Sequence, residues 1–253
     1  MAIGATTARK ERRGIVTGAA SGIGRAVTDR LLREGVAVLA VDIDAERLKE
    51  LAAAGCRTMV ADLAEPTDRE RLAETTDGFD YLVNAAGIIL LKPIFDVTVE
   101  EWRRIQTVNS ESIFFLCQKI GPRLRPGGAI VNLSSSSAKL ATTVEAAVYA
   151  ASKTTITSIT RSFAYALAAR PVRVNAICPG IIDTPMQDAV LAKVAVVRGT
   201  TVDELSRARN KTVPLGRAAS SEECAGLIWF LLSDESAYMT GQAINFTGGM
   251  VTW

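Results

Sequence analysis

Short apolar runs and helical stripes alternate along this chain, and the alternation sets the fold expected of it. Gly14–Val16 is a short apolar run, and Arg25–Leu32 beyond it repeats apolar residues at helical spacing. Val36–Val41 is a continuous valine-rich run of the kind that suits a parallel strand covered on both faces. Ala45–Ala54 then reads as a helix and Thr58–Ala61 as a strand. The next helix starts near Pro66-Thr67, with Thr67 and Glu70 placed as a capping box. Phe79–Val83 is the fourth strand. Thr98 and Glu101 make another capping box, opening a long helix that carries Asn109 and runs toward Lys119. Ala129–Leu133 is the fifth strand, and it ends in a serine run, Ser134–Ser137. A helix with Tyr149 and Lys153 leads to a sixth strand, Val172–Ile177. Residues 182–213 break the alternation and read as two helical pieces parted by Gly199, the second capped by Thr201 and Glu204. Ser220 and Glu223 cap a last helix through Leu232, and Gly241–Phe246 closes the sheet. No repeat and no linker interrupts the series. The expectation is one α/β domain over residues 1–253, a doubly wound parallel sheet of about seven strands with helices on both faces.

Between the first run and the first helix lies Thr17-Gly18-Ala19-Ala20-Ser21-Gly22-Ile23-Gly24. Strand, tight glycine turn and helix form the context of a Rossmann-like dinucleotide-binding fingerprint, here spaced Gly-x-x-x-Gly-x-Gly. The glycines let the backbone turn sharply and approach a pyrophosphate seated on the helix N-terminus. The second strand ends in Asp42, 18 residues beyond Gly24. A carboxylate there accepts from an adenosine ribose 2′-OH and repels a 2′-phosphate, which favours NAD over NADP. The other use open to Asp42, or to Asp44, is to cap the following helix. The serine run stands at the carboxyl end of a central strand, where ligands bind in open α/β sheets. Residues 182–213 are a candidate substrate lid over the same edge.

Charge and composition narrow the chemistry. A net charge of +2 gives no electrostatic reason to expect nucleic acid or an anionic membrane. No apolar stretch approaches the ~20 residues that span a bilayer. Residues 1–13 lack the apolar core of a secretion signal and read as a loosely ordered arm, so the cytoplasm is expected. Cys56, Cys117, Cys178 and Cys224 are scattered, as small buried hydrophobes in a reducing compartment would be. The chain contains no histidine, which removes Ser-His-Asp, Cys-His and His-ligated metal chemistry; no metal site is expected. Proton transfer then falls to Tyr, Lys, Asp, Glu, Cys or water. Tyr149 and Lys153 lie four residues apart, so one helix presents both on one face. A neighbouring ammonium favours the phenolate and lowers the tyrosine pKa, which makes Tyr149 a workable general base.

Taken together, Thr17-Gly18-x-x-x-Gly22-Ile23-Gly24, Asn84-Ala85-Ala86-Gly87, Asn109, the serine run, Tyr149-x-x-x-Lys153 and Pro179-Gly180 resemble the short-chain dehydrogenase/reductase family over nearly the whole chain. The resemblance implies that Tyr149 is the general acid/base and that Lys153 also bonds the nicotinamide ribose. It implies that a serine holds the substrate oxygen and that Asn109 holds a water relaying protons to Lys153. Counting back from Tyr149 points to Ser136, whereas counting from the strand residue Asn132 points to Ser135; strand geometry favours Ser135. The implied cofactor contacts are Gly18, Ser21, Gly22, Ile23 and Gly24, with Asp42 on the ribose and Asp62-Leu63 flanking the adenine. Asn84, Ala85 and Gly87 would pack beside the adenosine end, and Pro179, Gly180, Ile182 and Thr184 would line the nicotinamide side with Tyr149 and Lys153.

The expected reaction is NAD-dependent interconversion of a small polar secondary alcohol (a polyol, vicinal diol or sugar acid) and its ketone. Ile88, Ile89, Leu90, Thr142, Thr143 and Glu145 would wall the pocket. Lys193, Arg198, Arg207, Arg209 and Lys211 in the lid offer partners for a substrate carboxylate. A 3-oxoacyl-(acyl-carrier-protein) reductase using NADPH shares the motif set, but Ala19-Ala20-Ser21 supplies no basic residue. A silent NAD-binding protein is a third reading, set against by the presence of both Tyr149 and Lys153. The family resemblance also implies a homotetramer, for which Phe163, Leu167, Leu227, Trp229 and Phe230 are apolar enough, though core packing explains them equally well. Trp253 would either dock on a neighbouring subunit or fray.

Overall fold

The computed structural model describes residues 11–141 and 143–253. Among these residues seven strands form one sheet: β1 (Arg13–Thr17), β2 (Ala37–Asp42), β3 (Arg57–Val60), β4 (Tyr81–Asn84), β5 (Ala129–Leu133), β6 (Arg173–Pro179) and β7 (Ala243–Phe246). Their order is β3-β2-β1-β4-β5-β6-β7, and every neighbouring pair is parallel. The chain begins in the middle and winds outward twice, so the connections leaving β1 and β4 diverge and open a crevice at their carboxyl ends. Register brings Thr17 level with Val41 and Asn84, and Asn84 level with Asn132. Four residues that sequence reading had already singled out thus stand side by side on one edge.

Parallel pairing requires long crossovers, which helices supply. α1 (Gly22–Arg33), α2 (Ala45–Ala53) and α9 (Ser221–Leu232) cover one face, burying Val27, Leu31, Leu48, Leu51, Ile228 and Leu231. α3 (Pro66–Glu74), α5 (Ser112–Ile120) and α6 (Ala147–Leu167) cover the other with Leu72, Ile113, Leu116, Ile120, Ile156 and Leu167. β4 and β5 are buried along their whole length, as the apolar runs required of strands covered on both faces. All four cysteines are free and buried in this core. α4 (Val99–Gln106) precedes α5, and α7 (Pro185–Arg198) and α8 (Val202–Asn210) form the two-piece insertion between β6 and α9. Gly199 at φ +61° ends α7, a left-handed stop that glycine takes without steric cost. No described helix is long and apolar enough to cross a membrane.

The capping boxes at Thr98/Glu101, Thr201/Glu204 and Ser220/Glu223 are all formed. The one expected at Thr67/Glu70 is not. Pro66 occupies the first helical position, where its fixed φ is already helical, so α3 starts earlier with Glu65 as its N-cap and Thr67 inside the first turn. Asp68 instead accepts from the Asp62 N–H at 2.8 Å. The long helix expected through Asn109 is divided: a π-helical turn over Thr107–Glu111 separates α4 from α5. The N-terminal arm is shorter than expected at its inner end, because Arg13 pairs with Ala37 in β1; residues 1–10 of that arm lie outside the described residues.

Candidate active site

The crevice is built from the end of β1. Thr17 Oγ1 accepts from the Ala85 and Ala86 N–H groups at 3.2 and 3.3 Å, tying β1 to the turn after β4. Gly18 follows at φ +66°, and a Cβ there would lie 2.8 Å from the Ala86 backbone. A Cβ on Gly24 would collide with the Gly18 carbonyl, so loop and helix close on each other only as glycines. Gly22, at φ +52°, faces Thr184 across the crevice. Ser21 stands at the N-cap of α1 without a side-chain cap, and Ile23 packs inward on the core. Asp42 Oδ2 accepts from the Ala20 N–H at 2.9 Å and Oδ1 from the Asp44 N–H at 3.0 Å. Asp44, not Asp42, caps α2 through the Arg47 N–H. The Ala61 N–H donates to the Asp42 carbonyl, which sets Asp62 and buried Leu63 beside it. A turn opened by glycines, an uncapped helix start and an acidic strand end fit a dinucleotide: pyrophosphate on the turn, ribose on Asp42.

The end of β5 holds the other half. Lys153 Nζ donates to the Leu133 carbonyl at 2.8 Å, and Ser134 Oγ donates to the Lys153 carbonyl at 2.8 Å. The Ser135 side chain, whose Oγ accepts from the Ser137 N–H at 3.1 Å, faces the Tyr149 phenol, whereas Ser136 opens a short 3-10 turn and is buried. Of the two candidate serines, Ser135 is the one aimed at Tyr149. The expected lowering of the Tyr149 pKa is not found. Burial raises it, and the nearby Ser135 only softens the rise. The Lys153 ammonium lies over the ring, 5.5 Å from its centre, and directs a proton to Leu133 O. Burial pushes the Lys153 ammonium down to about 8.

Asn109 is fully buried in the π turn. Its Oδ1 accepts from the Ile88 N–H at 2.8 Å, and its Nδ2 donates to Ile88 O at 2.9 Å and to Ser152 Oγ at 3.0 Å. Ser152 donates onward to the Tyr149 carbonyl at 2.7 Å. A Cβ on Gly87 would lie 3.3 Å from Asn109 Oδ1 and 3.4 Å from Lys153 Nζ, so these three residues converge. Behind them Asn84 Nδ2 donates to Asn132 Oδ1 at 2.8 Å and Asn132 Nδ2 to Thr160 Oγ1 at 3.0 Å. The positioning role of Ser134, Ser152 and Asn132 was missed from sequence. Ser152 and Ser134 adjoin the motifs, but nothing in their spacing says that they hold Lys153 and Asn109 in place.

On the far side Pro179 ends β6, and Gly180 packs on Thr247, whose Cα lies 3.0 Å from where a Cβ would be. Ile182 bridges to Ala219, and Thr184 caps α7 through the Gln187 N–H. Ile88, Ile89 and Leu90 are partly buried, Thr143 is exposed, and Thr142 lies outside the described residues. Lys193, Arg198, Arg207 and Lys211 are exposed, while Arg209 turns inward to Gln187 Oε1 at 3.3 Å and Asp183 Oδ1 at 3.4 Å. Leu167 is core, Leu227, Trp229 and Phe230 pack against the α1 side, and Phe163 stacks edge-on with Phe114. Trp253 is exposed, its carbonyl accepting from Asn245 Nδ2 at 3.0 Å and Lys139 Nζ at 3.4 Å. Among the described residues no cluster of three or more Cys, Asp or Glu side chains is placed to hold a metal ion.

A family model described as Enoyl-(Acyl carrier protein) reductase matches residues 18–251. The chain is 33% identical to the L-2,3-butanediol dehydrogenase of Corynebacterium glutamicum, over 94% of this chain and 97% of that one. It is 38% identical to the 3-oxoacyl-(acyl-carrier-protein) reductase of Thermotoga maritima, over 94% and 96%. A solved structure of a short-chain dehydrogenase family protein from Francisella tularensis superposes with a TM-score of 0.87 at 32% identity, covering 95% of this chain and 98% of that one.

Proposed function

The chain belongs to the short-chain dehydrogenase/reductase family of oxidoreductases, and from that premise we propose that it interconverts a small polar secondary alcohol and its ketone with NAD. The observation that carries the reading is the Tyr149 phenol facing Ser135, with the Lys153 ammonium over its ring at the carboxyl edge of the sheet. When bound, the nicotinamide supplies the acceptor or donor of hydride. Tyr149 moves the proton: as phenolate it takes the hydroxyl proton of the alcohol, and as phenol it returns one to the ketone oxygen. Ser135 holds that oxygen and donates to the negative charge that develops on it. Lys153 and Asn109 hold the polar floor beneath Tyr149, and the lid of α7 and α8 limits access of water.

Asp42 supports NAD. Its carboxylate sits against the glycine loop, where a 2′-phosphate would meet a fixed negative charge. The preferred substrates are polyols, vicinal diols or sugar acids, with Arg209 the inward-turned cation of the lid. The assembly is a homotetramer built through α6 and α9. A second reading, 3-oxoacyl-(acyl-carrier-protein) reduction with NADPH, is supported by the 38% identity to the Thermotoga maritima enzyme. Initial rates on a panel of polyols, diols and sugar acids, with NAD and NADP side by side, decide between them. Turnover with NAD on one of these classes is the expected result. Turnover confined to NADPH and 3-oxoacyl thioesters would move the second reading into its place.

A further inference from the structure

Arg69 on α3 is buried, with 3% of its surface exposed, yet the chemistry above gives it no task. A charge so enclosed has to be paired and hydrogen-bonded to persist. Its Nη1 donates to the Leu63 carbonyl at 2.8 Å and the Ala64 carbonyl at 3.4 Å; its Nη2 donates to Glu111 Oε1 at 2.9 Å. The guanidinium also lies 5.5 Å from the ring centre of Phe115. The two ends of this fork touch different parts of the crevice. Leu63 and Ala64 belong to the loop after β3, which the Ala61–Asp42 backbone bond holds beside Asp42. Glu111 closes the π turn that carries Asn109, and its Oε2 accepts from Thr107 Oγ1, at the start of that turn, at 3.5 Å. α3 and α5 are also joined by Lys119–Glu70 at 3.4 Å, which reaches neither segment.

We propose that Arg69 is a positioning residue that ties the loop beside Asp42 to the turn of Asn109, coupling occupancy of the adenosine half of the crevice to the placement of Asn109. The inference rests on the dehydrogenase reading. A planar fork with fixed donor directions can hold two acceptors at a set separation, which a flexible ammonium cannot. Coupling through a shared element acts in both directions: loosening the π turn weakens binding at the loop, and loosening the loop disturbs the turn.

Glu111 is 43% exposed at its side chain, so Glu111→Gln is tolerated more readily than truncation of Arg69. In the full-length protein, the dissociation constant of AMP is measured calorimetrically for wild type, Glu111→Gln, Arg69→Lys and Lys119→Ala. kcat and the KM for the alcohol are measured at saturating cofactor for the same four. Glu111→Gln and Arg69→Lys are expected to weaken AMP binding five- to tenfold and to lower kcat by a similar factor, with KM for the alcohol within twofold. Lys119→Ala is expected to change neither. AMP binding and kcat within twofold of wild type in both Glu111→Gln and Arg69→Lys would overturn the coupling, as would equal losses in Lys119→Ala, which would mark generic loosening of α3 on α5. A wild type that binds no AMP and oxidises no alcohol would sink the dehydrogenase reading itself, and the coupling with it.

Discussion

Replacing Lys153 with methionine should cost most of the turnover while making the chain on its own more stable near neutral pH. The stem of the lysine is buried to 4% exposure, and burial brings its ammonium from the ordinary 10.5 to about 8. A depression of that size corresponds to about 3 kcal/mol of folding free energy held against the protein while the lysine is charged. The sign follows from proton counting. Between about 8 and 10.5 the unfolded chain carries the proton and the folded one does not, so this residue's share of stability rises with pH across that window. That share is present above 10.5 and lost as pH falls through about 8. Methionine keeps the apolar stem but leaves the Leu133 carbonyl without its donor, which costs about 1 kcal/mol or more. The net expectation at pH 7 is a gain of about 1–2 kcal/mol for Lys153→Met, shrinking and then reversing above pH 8. Urea denaturation of wild type and variant without dinucleotide, at pH 7, 8, 9 and 10, reads the difference directly. A stability difference that stays flat across those four pH values would refute the reasoning. Activity should fall by a factor on the order of 10² or more.

Other outcomes follow from the same geometry. Ser135→Ala is expected to lower kcat on the order of 10²-fold while Ser136→Ala stays near wild type; equal small losses would remove both serines from the reaction. Because burial raises the Tyr149 pKa, kcat for alcohol oxidation in the wild type should climb from pH 7 to 9 and that for ketone reduction should fall, and parallel profiles would count against Tyr149 as the proton carrier. Asp42→Ala removes the charge that faces a 2′-phosphate and should cut the NAD over NADP preference in kcat/KM by about tenfold or more, a shift of about 1.4 kcal/mol. Gly18→Ala places a side chain at φ +66° against the Ala86 backbone. It should lower the unfolding free energy by about 1–2 kcal/mol from the left-handed backbone alone, with the clash adding to it, and thermal denaturation measures the loss.

The strands were legible because parallel strands covered on both faces are largely apolar, and Val36–Val41 and Ala129–Leu133 are, Asn132 excepted. Three capping boxes were legible because each is a local pairing of Thr or Ser with a Glu three residues on. The box at Thr67 failed because Pro66 also starts helices, and it acts one residue earlier. The choice between Ser135 and Ser136 could be narrowed from sequence, but which hydroxyl meets Tyr149 depends on where the chain leaves β5. The Tyr149 pKa was not legible at all. Spacing puts Lys153 on the same helix face, but whether its ammonium approaches the phenol oxygen or turns to Leu133 O is settled by side-chain direction. Arg69 was invisible for a related reason, since an arginine in a charged helix segment reads as solvated until its tertiary partners are known.

The π turn at Thr107–Glu111 fits one residue more than an α-helical turn would into the run between α4 and α5. If the turn were wound as ordinary α-helix with every residue kept, all that follows would rotate by about 100°. Ile113, Leu116, Cys117 and Ile120 would swing away from the sheet. Deleting one residue would restore a smooth helix and keep those faces in place, at the expense of the bulge that presents Asn109. The segment therefore behaves like an insertion that the core on both flanks prevents from being absorbed. Variation can enter this helix by exchange of residues outside Asn109 and Glu111, and hardly at all by change of length.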